Sequence, residues 1–169
     1  MLLVGERSFN TFGSHGSDGH VAFRHFPSLP DVRSYLLQQG ATLVGVEITP
    51  RSLDVTTQPF SGPTAFLMGN EGTGLSAAQV AICDSFVYIP QFGAGTASLN
   101  VAVAAGIVLH QFASWAGYQE RQRVGEKFLV APRPQRTAPR GRVAEEPEVV
   151  RARRAAARAE AQQAAVDAT

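Results

Sequence analysis

The stretch FLMGNEGTGLS, residues Phe66–Ser76, passes from an apolar run into three glycines placed around one acid and closes on a serine. The apolar run TAFLM is typical of a strand that is buried on both faces of a parallel sheet. Gly69, Gly72 and Gly74 permit a sharp bend or a close approach of the backbone to another group. Glu71 indicates a cationic or hydrogen-bond-donating group, because its carboxylate would repel a phosphate. For this loop taken alone, a tight turn with a solvated Glu71 is an equally simple interpretation.

Strand and helix patterns alternate along the first two thirds of the chain. Besides TAFLMG, the segments with strand character are LLVG (2–5), ATLVGVEI (41–48) and SFVYIP (85–90). The segments with helical character are LPDVRSYLLQQG (29–40), AAQVAIC (77–83) and the apolar SLNVAVAAGIVLHQFASWAG (98–117). The proline-rich segment TPRSLDVTTQPFSGP (49–63) is predicted to be an irregular connection. This alternation predicts an α/β domain with a mainly parallel sheet, whose ligands bind at the carboxyl ends of the strands.

A second glycine-rich loop, QFGAGTA (91–97), also follows a strand, so both loops are expected at the same sheet edge. Ser98 and Asn100 stand where the long apolar helix is predicted to begin. If Ser98 caps this helix, the serine is explained but Asn100 is not. Asn100 forms helices poorly and indicates a specific polar partner. Gln91 adds a further amide at this edge.

The two loops carry a family resemblance. FLMGNEGTGLS together with VYIPQFGAGTASLNVAVAAGIVLHQF (87–112) resembles the second and third signature motifs of the SpoU (TrmH-like) RNA 2'-O-ribose methyltransferases of the SPOUT superfamily. The resemblance implies an α/β fold with a deep trefoil knot, bound S-adenosylmethionine, an RNA substrate (tRNA or rRNA) and a homodimer. It implies cofactor contacts from one loop at Leu67, Met68, Gly69 and Asn70. It implies cofactor contacts from the other side at Ile89, Gln91, Ser98 and Leu99. The implied catalytic residues are Glu71, Ser98 and Asn100.

The family's first motif, in a form like N-x-G-x-x-x-R, precedes the strand that corresponds here to LLVG (2–5). The chain starts at Met1, so we expect the first strand–helix unit and its catalytic arginine to be missing. Two hypotheses follow: an incomplete form of an active enzyme, or a non-catalytic RNA-binding or assembly protein on the same fold. A nucleotide-binding α/β protein without an RNA role is a third alternative.

Charge divides the 169 residues into two parts. Residues 1–118 hold 4 Lys/Arg against 7 Asp/Glu, whereas residues 119–169 hold 11 against 7. We therefore predict a methyltransferase domain over 1–118 and a basic Pro/Arg/Ala-rich extension over 119–169, partly disordered or helical, which could serve as an RNA-binding segment. The single cysteine, Cys83, excludes an internal disulfide and suits a reducing, intracellular location. Neither a membrane span nor a metal site is predicted.

Overall fold

The computed structural model describes residues 1–5, 17–95 and 98–132. Short 3-10 turns lie at Ser17–His20 and Val55–Thr57. The helices and strands are, in chain order, β1 (Leu2–Val4), β2 (Arg24–Phe26), α1 (Leu29–Gln38), β3 (Thr42–Val46), β4 (Leu53–Asp54), β5 (Thr64–Met68), α2 (Ala77–Ile82), β6 (Ser85–Tyr88), α3 (Val101–Trp115), β7 (Arg123–Val124) and β8 (Lys127–Phe128).

The chain divides into two compact units. The larger holds Leu2–Gly5 and His25–Ala131 and contains the three helices and the main sheet. The described part of the smaller unit consists of Met1, residues 17–24 and Pro132. The domain boundary predicted at residue 118 stays a prediction, and residues 133–169 of the proposed extension lie outside the described residues.

The main sheet has the strand order β4-β6-β3-β5, and every neighbouring pair is parallel. β3 occupies the centre, where Val46 lies level with Met68 of β5 and with Val87 of β6. Because all four strands run the same way, their carboxyl ends share one edge. The predicted α/β fold with a mainly parallel sheet is confirmed. β1 and β2 form a separate pair, and β7 and β8 form an antiparallel hairpin.

Helices cover both faces of the main sheet. Consecutive strand residues face opposite ways, so each face presents apolar side chains that a helix can bury. Leu43 of β3 packs on one face with Val32 and Leu36 of α1. The next residue, Val44, packs on the other face with Val108 of α3. Each face therefore has its own apolar cluster, and the two clusters fix the helices around the sheet.

An ion pair joins α1 to the start of β6. Arg33 donates two hydrogen bonds from its guanidinium to the Asp84 carboxylate. Asp84 Oδ2 also accepts from the backbone N–H of Leu43, at 2.8 Å. One carboxylate thus holds the helix and the central strand β3 together.

Local sequence signals set where each helix begins. Ser28 caps α1 directly before the first residue of the segment 29–40 that is predicted to be helical. Ser76 caps α2, and Gln79 completes a capping box with it. α3 begins at Val101 with Asn100 as its cap, so the prediction that the helix starts at Ser98 was wrong by three residues. Asn100 rather than Ser98 caps the helix because its side-chain oxygen accepts from the backbone N–H groups of the first turn.

Four short strands were not predicted from the sequence, namely β2, β4 and the two strands of the β7–β8 hairpin. β4 lies inside the segment predicted to be an irregular connection, and it pairs with β6 at the edge of the sheet. Its two residues are too few to produce an alternating pattern. The β7–β8 hairpin falls at the start of the proposed extension, and Gly125 at its turn has φ +60°.

α3 is covered on one side only within the described residues. Its sequence is apolar nearly all round, which is typical of a helix covered on most sides, yet Val108 is its one buried residue. Val103 and Leu109 remain 51% and 55% exposed. Near its end, Phe112 and Trp115 pack on Phe60, with ring centroids 5.3 and 5.7 Å away. These aromatics belong to the core of this chain, whereas the opposite face of α3 is open.

Candidate functional site

A pocket of about 650 Å³ opens at the carboxyl edge of the main sheet. Its walls come from the segments that follow β3, β5 and β6 and from the start of α3. Both glycine-rich loops contribute to it, so the prediction that the two loops meet at one edge is confirmed. The volume lies within the range usual for small-molecule and cofactor sites.

The loop after β5 is closed by its own backbone. Asn70 and Gly74 exchange two backbone hydrogen bonds, 3.0 and 2.9 Å long. The Asn70 side-chain oxygen accepts from the N–H groups of Gly72 and Thr73. A side chain on Gly69 would come within 2.8 Å of the Gly74 carbonyl carbon, so this crossing point requires glycine. The result is a tight, internally bonded loop that presents Glu71 at its tip.

Asn100 connects the two loops. Its side-chain oxygen accepts from the N–H groups of Ala102 and Val103, at 3.0 and 3.3 Å. Its amide nitrogen donates to Glu71 Oε1 at 2.7 Å. Because the oxygen is committed to the cap, the amide has one orientation and its N–H₂ faces Glu71. A single side chain therefore starts α3 and also binds the acid of the other loop.

Glu47 was not identified from the sequence. It follows β3 directly and lines the pocket floor beside the two loops. Its carboxylate accepts from the backbone N–H of Leu75 at 2.9 Å and from that of Ile48 at 3.0 Å. An acid immediately after the buried run LVGV was an available signal, since it satisfies the same strand-end rule as the glycine-rich loops.

Most of the predicted site residues lie around this pocket. Those that line it are Met68, Gly69, Asn70, Glu71, Ile89, Gln91 and Ser98, together with Leu99. Asn100 binds Glu71 at its rim. Leu67 does not line the pocket and packs instead with the α1 cluster, because it faces the opposite side of β5 from Met68. The roles predicted for all these residues remain proposals.

The pocket is acidic. Glu47 and Glu71 line it, and the lining residues that the structure describes include no Lys, Arg or His. The remaining surface comes mainly from aliphatic side chains, glycines and uncharged polar residues, together with Tyr88. Such a wall fits a ligand that has both an apolar part and a positive charge, as a sulfonium methyl donor has. Backbone at Gly69 and Gly74 can also approach such a ligand closely.

The described residues contain neither a metal-binding group of side chains nor a helix that could cross a membrane. Across 1–5, 17–95 and 98–132, no three His, Cys, Asp or Glu side chains are grouped so that they could hold a metal ion. Over the same ranges, every helix is too short or too polar to cross a bilayer.

Comparison with known proteins decides the family. The model of the SpoU rRNA methylase family matches residues 3–110, which include most of β1, all of β2 to β6, both loops and most of α3. The chain belongs to this family. The match confirms the resemblance seen in the two motifs, and it places the acidic pocket inside the segment that defines the family.

Curated relatives within the family are RNA methyltransferases. The tRNA (guanosine(18)-2'-O)-methyltransferase of Thermus thermophilus is 31% identical over 120 residues, covering 71% of this chain and 58% of that protein. The Escherichia coli K12 protein of the same name is 28% identical over 110 residues, covering 65% of this chain and 45% of that protein. The chain thus spans about half the length of these relatives.

Solved structures of family members give the same architecture. AviRb, a SpoU methyltransferase from Streptomyces viridochromogenes solved with AdoMet, aligns with a TM-score of 0.60 and 28% identity over 70% of this chain and 50% of that one. An AdoMet-bound rRNA methyltransferase from Sinorhizobium meliloti aligns with a TM-score of 0.58 and 28% identity over 68% of this chain and 45% of that one. The cofactor expected from the sequence is therefore the one that these neighbours contain.

Proposed function

We propose that this chain binds S-adenosylmethionine and methylates the ribose 2'-hydroxyl of a tRNA or rRNA. The observation that carries the proposal is the contact between Glu71 and Asn100. These residues belong to different family motifs, lie 29 positions apart, and are joined by a 2.7 Å hydrogen bond at one pocket. Relatives named as RNA 2'-O-methyltransferases and AdoMet-bound neighbours support the same activity.

In this proposal each side of the pocket has a separate task. Gly69 and the backbone around it approach the donor closely from one side. Ile89 and Leu99 provide apolar contacts on the other side, and Gln91 and Ser98 provide polar ones. When bound, the donor supplies an electrophilic methyl group on a positively charged sulfur. The negative charge of Glu71 then favours the charged donor over its neutral product.

The transfer itself requires the ribose 2'-oxygen to be aligned with the methyl carbon. The new oxygen–carbon bond would form as the carbon–sulfur bond breaks, the hydroxyl proton would pass to solvent, and S-adenosylhomocysteine would leave. Glu71, held in place by Asn100, would orient the ribose hydroxyl at the pocket. Alignment of this kind is a large part of the rate gain in a two-substrate reaction.

Two features that the family resemblance implies, and a role for the extension, are part of the proposal. The loops at the pocket would be threaded as a trefoil knot, because the matched segment 3–110 covers both of them. The exposed face of α3 would pack against a second copy, since an apolar helix normally buries such a face. The arginines of the extension would bind RNA phosphates, and an RNA substrate would place the protein inside the cell.

A binding and turnover experiment on the full chain tests the proposal. Calorimetry should detect uptake of S-adenosylmethionine, and single-turnover assays with labelled donor should place methyl groups on ribose in tRNA or rRNA. Glu71→Gln, which keeps the size of the side chain, should reduce transfer. Donor uptake without transfer would instead favour the non-catalytic alternative, and absence of uptake would contradict the cofactor assignment.

A further inference from the structure

Glu47 lies where the central strand meets the pocket loop. Its two carboxylate oxygens accept from different backbone N–H groups, one on its neighbour Ile48 and one on Leu75, which is 28 positions away. The first bond fixes the carboxylate at the end of β3. The second therefore ties the far end of the 69–75 loop to the middle of the sheet.

The hydrogen bond to Leu75 also restrains the rest of the loop, through the backbone contacts within it. Leu75 follows Gly74, which is paired with Asn70 by two hydrogen bonds. Asn70 is followed by Glu71, the acid that accepts from Asn100. Glu47 is thus linked to the contact between the two family motifs through one short, rigid loop, although it touches neither Glu71 nor Asn100 in the described contacts.

Steric fit supports the same link. A side chain on Gly74 would place its Cβ 2.3 Å from Glu47 Oε2, far inside contact distance. Gly74 also has φ +67°, a conformation that favours glycine. The loop backbone is therefore pressed directly against the carboxylate, which leaves room for no side chain between them.

We propose that Glu47 is a positioning residue that holds the 69–75 loop against the sheet edge and so keeps Glu71 aimed at Asn100. The consequence for donor binding rests on the proposed function. The charge-assisted bond to Leu75 is strong enough for this task, since bonds of this type contribute roughly 1.5–3 kcal/mol, which corresponds to about ten- to a hundredfold in an equilibrium.

Amide hydrogen exchange tests the hold without any ligand. In Glu47→Ala, protection of the Leu75 and Gly74 amides should fall about tenfold or more, while amides of α1 keep theirs. Glu47→Gln retains one acceptor oxygen, so the protection of these two amides should lie between that in Glu47→Ala and that in the wild type. Glu120→Gln, a change at an exposed carboxylate in the Glu120–Arg123 pair, is the matched control and should change neither amide. Unaltered protection in Glu47→Ala would overturn the proposal.

Donor titrations distinguish positioning from direct contact. Because Glu47 acts through the loop, Glu47→Ala should weaken the binding of S-adenosylmethionine and of S-adenosylhomocysteine by similar factors of about ten. A loss confined to the charged donor, with Leu75 still protected, would mean that Glu47 contacts the sulfonium directly and would overturn the positioning role. If the wild-type chain takes up no donor, the proposed function fails, and the exchange result still decides whether Glu47 holds the loop.

Discussion

The side-chain amide of Asn100 donates a 2.7 Å hydrogen bond to Glu71 while its oxygen caps α3. One residue thus performs a structural and a site-forming task through opposite ends of the same group. Any substitution of Asn100 has to be interpreted with both tasks in mind, and a suitable pair of variants separates them.

Asn100→Ala should remove both contacts. Loss of a cap of this kind costs about 1 kcal/mol of the free energy of unfolding, and donor binding or transfer should fall as well. Asn100→Asp keeps an oxygen for the cap but faces Glu71 with a second carboxylate. We expect its stability to stay near that of the wild type in denaturant titrations, with methyl transfer as low as in the alanine variant. Normal transfer by both variants would contradict the placement of the site.

Gly74→Ala should destabilise the chain by about 2 kcal/mol, because a side chain at positive φ and a contact inside normal distance both add cost. The double-mutant cycle with Glu47→Ala gives the sharper test. Once the carboxylate is gone, only the backbone strain remains, so the cost of Gly74→Ala should fall to about 1 kcal/mol. Additive costs in urea titrations would show that Gly74 and Glu47 are not in contact. Gly62→Ala, which has open space around the added carbon, should change little.

Asp84→Ala should cost more stability than Arg33→Ala. Removing Arg33 deletes one partly exposed ion pair, which contributes up to about 1 kcal/mol. Removing Asp84 also leaves the Leu43 N–H at the start of β3 without this acceptor, at a cost of about 1–3 kcal/mol. Equal losses in thermal and urea unfolding would show that the bond to Leu43 contributes nothing.

Cys83 should resist thiol reagents in the folded chain. Burial raises the pKa of its thiol above the ordinary value, and the charge of Asp84 raises it further, against an opposing effect from Arg33. The folded state therefore keeps the proton to higher pH than the unfolded state. This contribution to stability is complete below the unfolded pKa and is lost as the pH rises through the folded pKa.

Two measurements test this expectation for Cys83. Modification by an aromatic disulfide at pH 8 should be slower for the native chain than for the chain in urea. The wild type should also lose more stability than Cys83→Ser between pH 7.5 and pH 10. Equal pH dependence of the two proteins would contradict a raised pKa.

Gly106→Arg should separate dimerisation from folding. Gly106 lies on the exposed face of α3, and a side chain built there meets no atom within 4 Å. Arginine also favours helix over glycine by about 1 kcal/mol. We therefore expect a folded variant with an unchanged or higher melting temperature that sediments as a monomer. A dimer of undiminished affinity in analytical ultracentrifugation would exclude this face as the interface.

Much of the site could be predicted from local patterns. Apolar runs that end in glycines predict strands and the loops after them, and parallel strands place such loops at one edge. That rule predicts that the two glycine-rich loops meet, and the family resemblance adds the individual contacts at Met68, Gly69 and Ile89. Leu67 was the exception, because the period of two along β5 turns it toward α1.

The strand and helix alternation, the two glycine-rich loops and the family motifs were determined by the sequence alone, since each depends on residues close together in the chain. Only the tertiary structure decided that Glu47 reaches Leu75, that Asn100 is both cap and partner, and that β4 joins the sheet beside β6. These contacts join residues far apart in the chain or depend on the direction of a side chain. No local pattern encodes them, because they arise when the packed strands bring their carboxyl ends together.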